Sequence, residues 1–135
     1  MNIVTRLQSA GLRATPKRIA IGGLLFDGMV RDVTADDVAA LARKGGVRVS
    51  LATVYNTLNQ FVSAGLMKRI TLDTDRTYFD TNVSDHHHLF FEDNGVLHDI
   101  PGDTVKVEGL PPIPAGSKVS SVEVIVRMSS DKKSR

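Results

Sequence analysis

The sequence predicts an α+β chain in two parts. An N-terminal winged helix-turn-helix occupies residues 1–80 and a small C-terminal α/β domain occupies 86–128, with a hinge at 81–85 and a disordered tail at 129–135. Three observations predict it. Capped apolar periodicities mark successive helices up to residue 65, a strand–turn–strand pattern follows them, and beyond residue 85 short alternating strands are separated by Pro- and Gly-rich chain.

Asn2 to Ala10 is a short helix candidate stopped by Gly11. Thr15 and Pro16 supply the N-cap and first position of a second helix, which runs through Ile19, Ile21, Leu24, Leu25 and Phe26 to Asp27-Gly28. Gly22 and Gly23 each cost about 1 kcal/mol there against Ala, so they predict tight packing or a bend. Thr34 starts a third helix, with Asp37 at N3 and a Val33–Val38 staple, and Arg43-Lys44-Gly45 ends it.

The fourth helix carries the most information. Ser50 is its N-cap, Gly65 its C′ residue, and Val49 and Val54 form a staple. Leu51, Val54, Leu58, Phe61 and Val62 fall on one side; Ala52, Thr53, Asn56, Asn59, Gln60 and Ser63 lie opposite, with Tyr55 on the flank. That outer side is polar yet uncharged. Short hydrogen-bonding groups, a methyl and a phenol suit a surface that enters a groove and touches base edges, so Ser50, Ala52, Thr53, Tyr55 and Asn56 are candidate DNA contacts. Leu66 to Leu72 and Arg76 to Asp80 then form the wing hairpin, turning at Asp73-Thr74-Asp75. Charge on its own suits a DNA partner and a solvated surface equally well. Residues 1–84 hold 11 Lys/Arg against 7 Asp/Glu, a net of +4, whereas residues 85–135 hold 6 against 8, a net of −2.

In the second part, His86 to Phe91 and Val96 to Ile100 read as paired strands around the turn Asp93-Asn94-Gly95. A two-residue turn at Asn94-Gly95 would pair Phe91 with His98. Residues 101–116 show no helical pattern, and the alternation of Val122, Val124, Val126 and Met128 predicts a half-buried strand. About 45 residues without a disulfide rarely close a core alone, so burial against a second copy is expected; this is a dimerisation domain.

His86, His87 and His88 are consecutive. On a strand His86 and His88 share a face, roughly 6.7 Å apart at Cα, and His87 points away. The pair suits a divalent ion, with Asp80 and Asp85 as the nearest acids, or supplies one axial ligand to a haem.

SLATVYNTLNQF (Ser50–Phe61), GLRATPKR (Gly11–Arg18), TYFD (Thr77–Asp80) and HHHLFFEDNG (His86–Gly95) together resemble the ferric uptake regulator family. Asn56-Thr57, the histidine triplet and the lack of cysteine are most similar to its iron response regulator branch. The resemblance implies a homodimeric regulator of iron and haem genes that binds AT-rich palindromic operators, with haem at His86, His87 and His88 weakening its hold on DNA. The alternative within the family is a repressor activated by Fe(II) or Mn(II) without a haem response. The resemblance also implies a base-contacting Tyr55, backbone contacts from Arg13, Lys17 and Arg18, and a regulatory metal site (Fe, Mn or Zn) at Asp32, Asp80, His86 and His88. Asp32 stands where relatives often carry histidine. Phe91 and Asn94 occupy one of the family's Cys-x-x-Cys pairs, so its structural zinc is not expected.

The absence of cysteine excludes disulfides and thiolate sites. No apolar run is long enough for a membrane span, and a cytoplasmic protein is expected. A small metallohydrolase would need three ligands, an open coordination position and a general base, and no HExxH helix is present. A winged helix used for protein docking would carry an apolar outer face, which the Asn/Thr/Gln face contradicts.

Overall fold

The computed structural model describes residues 2–72 and 76–131, in two compact units, Met1–Val83 and Ser84–Arg135. The first contains α1 (Ile3–Ser9), α2 (Pro16–Leu25), β1 (Asp32–Val33), α3 (Ala35–Lys44), α4 (Leu51–Ser63), β2 (Lys68–Thr71) and β3 (Thr77–Asp80).

Each helix begins where a side-chain oxygen meets an otherwise unpaired N–H. Asn2 Oδ1 accepts from Thr5 N at 2.8 Å, and Thr15 Oγ1 accepts from Arg18 N at 3.3 Å. Thr34 and Asp37 form a reciprocal capping box, Asp37 N donating to Thr34 Oγ1 at 3.1 Å and Thr34 N to Asp37 Oδ2 at 2.9 Å. Ser50 Oγ accepts from Thr53 N at 3.1 Å. α4 closes in a Schellman arrangement: Leu66 N donates to Phe61 O at 2.9 Å and Gly65 N to Val62 O at 3.0 Å, with Gly65 at φ +79°.

Leu7, Ile21, Leu25, Val38, Val54, Leu58, Phe61, Met67 and Phe79 form one core, with Phe26 against Phe61 at 5.4 Å between ring centres. The two glycines of α2 have different reasons. A Cβ on Gly22 would come within 2.5 Å of Ile3 Cδ1, so α1 packs where that side chain is missing. Gly23 has nothing within 4 Å of such a Cβ. Leu51, expected on the inner row, is 46% exposed, because the first turn of α4 extends past the core. Thr57 takes an inner place instead, donating from Oγ1 to Thr53 O at 2.8 Å.

The wing gains a strand that the sequence reading did not anticipate. The sheet order is β1-β3-β2, all antiparallel, with Asp32 opposite Asp80 and Lys68 opposite Asp80 on the other side. Arg31 N donates to Thr81 Oγ1 at 2.9 Å and Thr81 N to Arg31 O at 3.0 Å, prolonging the β1–β3 pairing. Arg31 also donates to Asp27 at 2.7 Å; that bond, with a second from Met29 N, holds the Asp27 carboxyl below its ordinary range. The expected wing turn at 73–75 lies outside the described residues.

The second unit contains β4 (His87–Phe91), β5 (Val96–Ile100), a 3-10 turn (Gly102–Thr104) and β6 (Ile125–Met128), in the order β5-β4-β6. Its only helical element among the described residues is that 3-10 turn, so the expected α/β domain is a small sheet. β6 lies parallel to β4, with His88 opposite Ile125. The β4–β5 turn spans four residues rather than two: Gly95 N donates to Phe91 O at 2.8 Å, and Val96 N to Asn94 Oδ1 at 3.0 Å. Phe91 therefore pairs with Val96, not His98, and Leu89 faces His98. Of the tail expected at 129–135, residues 129–131 are described. Ser130 N donates to Asp93 Oδ2 at 3.0 Å, while residues 132–135 lie outside the described residues. No helix among the described residues is long and apolar enough to cross a membrane.

Two stability outcomes follow from these local environments. Gly23→Ala should stabilise the chain by about 0.5–1 kcal/mol through helix propensity, and Gly22→Ala should forfeit that gain because Ile3 must move. Ser50→Ala should cost about 1 kcal/mol, and Ser50→Asp should restore most of it. Denaturant unfolding curves of the four variants check both.

Candidate DNA-reading face and metal centre

The outer side of α4 is exposed along its length, from Ala52 through Asn56 and Gln60 to Ser63. Ala52 and Asn56 are exposed, Thr53 is half-buried, and Tyr55 is 38% exposed. The Tyr55 ring rests edge-on against Phe79 at 6.0 Å, so its direction is fixed by the wing. Ser50 Oγ also donates to Thr53 Oγ1 at 2.9 Å, which uses the Ser50 hydrogen and leaves the Thr53 O–H able to donate.

Two outer-face residues have internal tasks. Arg69 of β2 donates to Asn59 Oδ1 and lies 6.0 Å above the Phe79 ring, tying the wing to α4. Arg18 Nε donates to Gln60 Oε1 at 3.1 Å, and a terminal nitrogen of the same guanidinium donates to Arg13 O at 3.0 Å. Between the start of α2 and α4 lies a groove of about 480 Å³ lined by Thr15, Lys17, Arg18, Thr53, Asn56 and Gln60, among others. It brings Lys17, Arg18, Thr53 and Asn56 together. Arg13 and Ser50 are exposed outside its lining.

The histidine triplet divides by strand alternation. His87 turns away and accepts from Val124 N through Nδ1 at 2.9 Å, anchoring the approach to β6. His86 and His88 face Asp99: His86 Nε2 lies 3.1 Å from Asp99 Oδ2 and His88 Nε2 3.2 Å from Asp99 Oδ1. The ligand atoms of these three residues lie within 4.8 Å of one another, with the His88 side chain 2% exposed.

Asp99 was missed in the sequence because the assumed two-residue turn displaces the register by two. Four residues in the turn set Asp99 opposite His88. Asp85 is not in the group. Asp32 and Asp80 belong to the other unit, where they face each other across β1 and β3; Asp80 is fully buried and accepts from Asn82 N at 2.8 Å.

Donor and acceptor chemistry shows what the triad accommodates. His86 Nδ1 lies 2.6 Å from Ser84 O. A carbonyl only accepts, so Nδ1 carries the hydrogen. In the neutral ring this turns the Nε2 lone pair toward a carboxylate oxygen, acceptor against acceptor. A proton or a metal cation between them reconciles the two, and a backbone carbonyl that fixes the tautomer is the usual support of a metal-binding imidazole. Two imidazoles and a carboxylate form a nitrogen–oxygen set that suits Mn, Fe or Zn.

The pattern that defines the Ferric uptake regulator family matches residues 9–126. The chain is 38% identical over 116 residues to the peroxide operon regulator of Bacillus subtilis, covering 84% of this chain and 79% of that protein. It is 35% identical over 98 residues to the ferric uptake regulation protein of Bordetella parapertussis, covering 72% and 70%. Its fold is similar to the ferric uptake regulator of Pseudomonas aeruginosa with manganese, at a TM-score of 0.71 and 25% identity over 98% of this chain and all of that one. The Vibrio cholerae ferric uptake regulator superposes with a TM-score of 0.74 at 21% identity, covering 94% and 98%. The chain belongs to the ferric uptake regulator family, whose members are transcription regulators rather than enzymes.

Proposed function

We propose that this protein is a homodimeric, sequence-specific regulator of iron-homeostasis genes whose grip on operator DNA is set by a divalent metal. The observation that carries the metal is the carboxylate of Asp99 held between His86 and His88, with Ser84 O fixing the His86 tautomer. The manganese-bound P. aeruginosa relative supports the same class of ion. Asp80, which ends β3 six residues before His86, is proposed as a further ligand, with Asp32 beside it. When bound, the metal would supply a positive charge and a fixed coordination geometry. His86, His88 and Asp99 would hold it, and Ser84 O would keep His86 oriented toward it. Coupling between such a site and a DNA-reading surface is typically worth 5- to 150-fold in affinity.

On the DNA side, Tyr55 and Ala52 offer apolar contact to thymine methyls, and Thr53 and Asn56 offer hydrogen bonds to base edges. Arg13, Lys17 and Arg18 are proposed phosphate contacts. An AT-rich palindrome is the operator class that a two-fold dimer with this reading face would prefer.

A haem response and the iron response regulator branch have less support. His88 is buried, and Nδ1 of His87 is engaged with Val124 N, so the triplet offers haem little open imidazole. The B. subtilis relative, a peroxide operon regulator, supports peroxide as a second input.

Fluorescence anisotropy on an AT-rich palindromic duplex, with Mn(II), Fe(II) and haem titrated separately, tests these readings. Metal should tighten binding at least about fivefold. His88→Ala and Asp99→Asn should weaken Mn(II) binding about 10- to 100-fold, read by electron paramagnetic resonance. An unchanged DNA affinity with metal, together with a change on adding haem, would reverse the order of the two readings. Peroxide added to the Fe(II) complex should release DNA, and an unchanged complex would remove peroxide as an input. Tyr55→Ala should cost preference for the palindrome, whereas Lys17→Met should weaken all duplexes alike and lower the salt slope by about 0.9.

A further inference from the structure

We infer that Gln60 is a positioning residue for Arg18, and that the two seat a single DNA phosphate in the groove between the start of α2 and α4. The inference rests on the proposed DNA binding and adds to it a residue outside the predicted contact set.

The guanidinium of Arg18 is held at two points from two different elements. Its Nε donates to Gln60 Oε1 on α4 at 3.1 Å, and a terminal nitrogen donates to the backbone O of Arg13, ahead of α2, at 3.0 Å. Two bonds to separate acceptors fix both the position and the plane of the group. Of its five N–H donors two are used, and three remain, a fork that matches two oxygens of a phosphate.

The choice of acceptor is the informative part. Gln60 and the Arg13 carbonyl are both neutral, so they hold Arg18 without cancelling its charge. A carboxylate at position 60 would grip the guanidinium more strongly and remove the field that attracts a phosphate. Gln60 is exposed, so this bond does little for the fold; solvent-exposed polar contacts contribute small stabilities. What it does is order a long, flexible side chain before DNA arrives, which lowers the ordering cost on binding. Lys17, Thr53 and Asn56 line the same groove, so a phosphate seated on Arg18 would also set the position of α4.

Binding of the full-length protein to a mixed-sequence duplex, measured between about 50 and 200 mM salt, tests this. Gln60→Met removes the acceptor at nearly constant volume. It should weaken binding several-fold, lower the salt slope by up to about 0.9, and shift the Arg18 Nε–H resonance in the free protein. The double variant Gln60→Met/Arg18→Met should bind no worse than Arg18→Met alone. Gln60→Glu should keep the restrained Arg18 resonance yet also lose slope, separating orientation from charge. An unchanged slope in Gln60→Met, or losses that add in the double variant, would overturn the proposal while wild-type binding still upheld the DNA-binding reading. A wild-type chain that binds no duplex at the lowest salt would overturn both.

Discussion

Burial of the inner row of α4 is the constraint on which the DNA-reading unit depends. Val54, Leu58 and Phe61 are fully buried in the core shared with Leu7, Ile21, Leu25, Val38 and Phe79. Each of these large side chains contributes about 1.5–3 kcal/mol when removed from water, far more than any polar contact on the outer side. The helix therefore cannot roll to satisfy its outer groups; those groups must take whatever direction the packing leaves them. Tyr55 is directed by Phe79, Asn59 by Arg69 and Gln60 by Arg18, so part of the outer side is spent on neighbours of the same unit. Ala52 and Asn56 in the first turns have no such neighbour among the described residues and are exposed. Tyr55 beside them keeps part of its ring exposed, at the end of a recognition helix that reaches bases in helix-turn-helix proteins.

The helices were legible because their signals are local. Thr15, Thr34 with Asp37, and Ser50 each form the capping bond that the side chain predicts, three residues along the chain, and Gly65 closes α4 through its backbone at φ +79°. β1 was not legible. Two residues carry no alternation, and Val33 reads equally well as the staple of α3. The parallel partnership of β6 with β4 was hidden for a different reason: it joins His88 to Ile125 across a long unpatterned connection, and nothing local encodes a partner at that distance.

The metal centre shows the same division on a smaller scale. Strand alternation has a period of two, so an error of two residues in the turn leaves every side chain on its correct face. His86 and His88 were placed together and His87 apart by parity alone, and the structure agrees. The same error changes which residue stands opposite. With two residues in the turn Asp99 would face Phe90; with four it faces His88. Faces are thus readable from composition, whereas partners depend on loop length, which Asp93-Asn94-Gly95 leaves open.

The absence of cysteine gives the centre its chemical character. Thiolates bind soft and borderline ions so tightly that their sites commonly serve the fold, as in structural zinc sites. A set of imidazole and carboxylate is weaker and sits closer to the harder divalent ions, so occupancy follows the supply of free metal more readily. It also competes with protons, because each imidazole must be neutral at the nitrogen that binds. The Ser84 carbonyl fixes the tautomer of His86 by holding the hydrogen on Nδ1, so Nε2 is the nitrogen for which proton and metal compete. The second unit keeps its three strands paired through backbone bonds that do not involve these side chains. The strands that carry the ligands are thus already paired without the ion, and an ion held between His88 of β4 and Asp99 of β5 would add a bridge across that pairing.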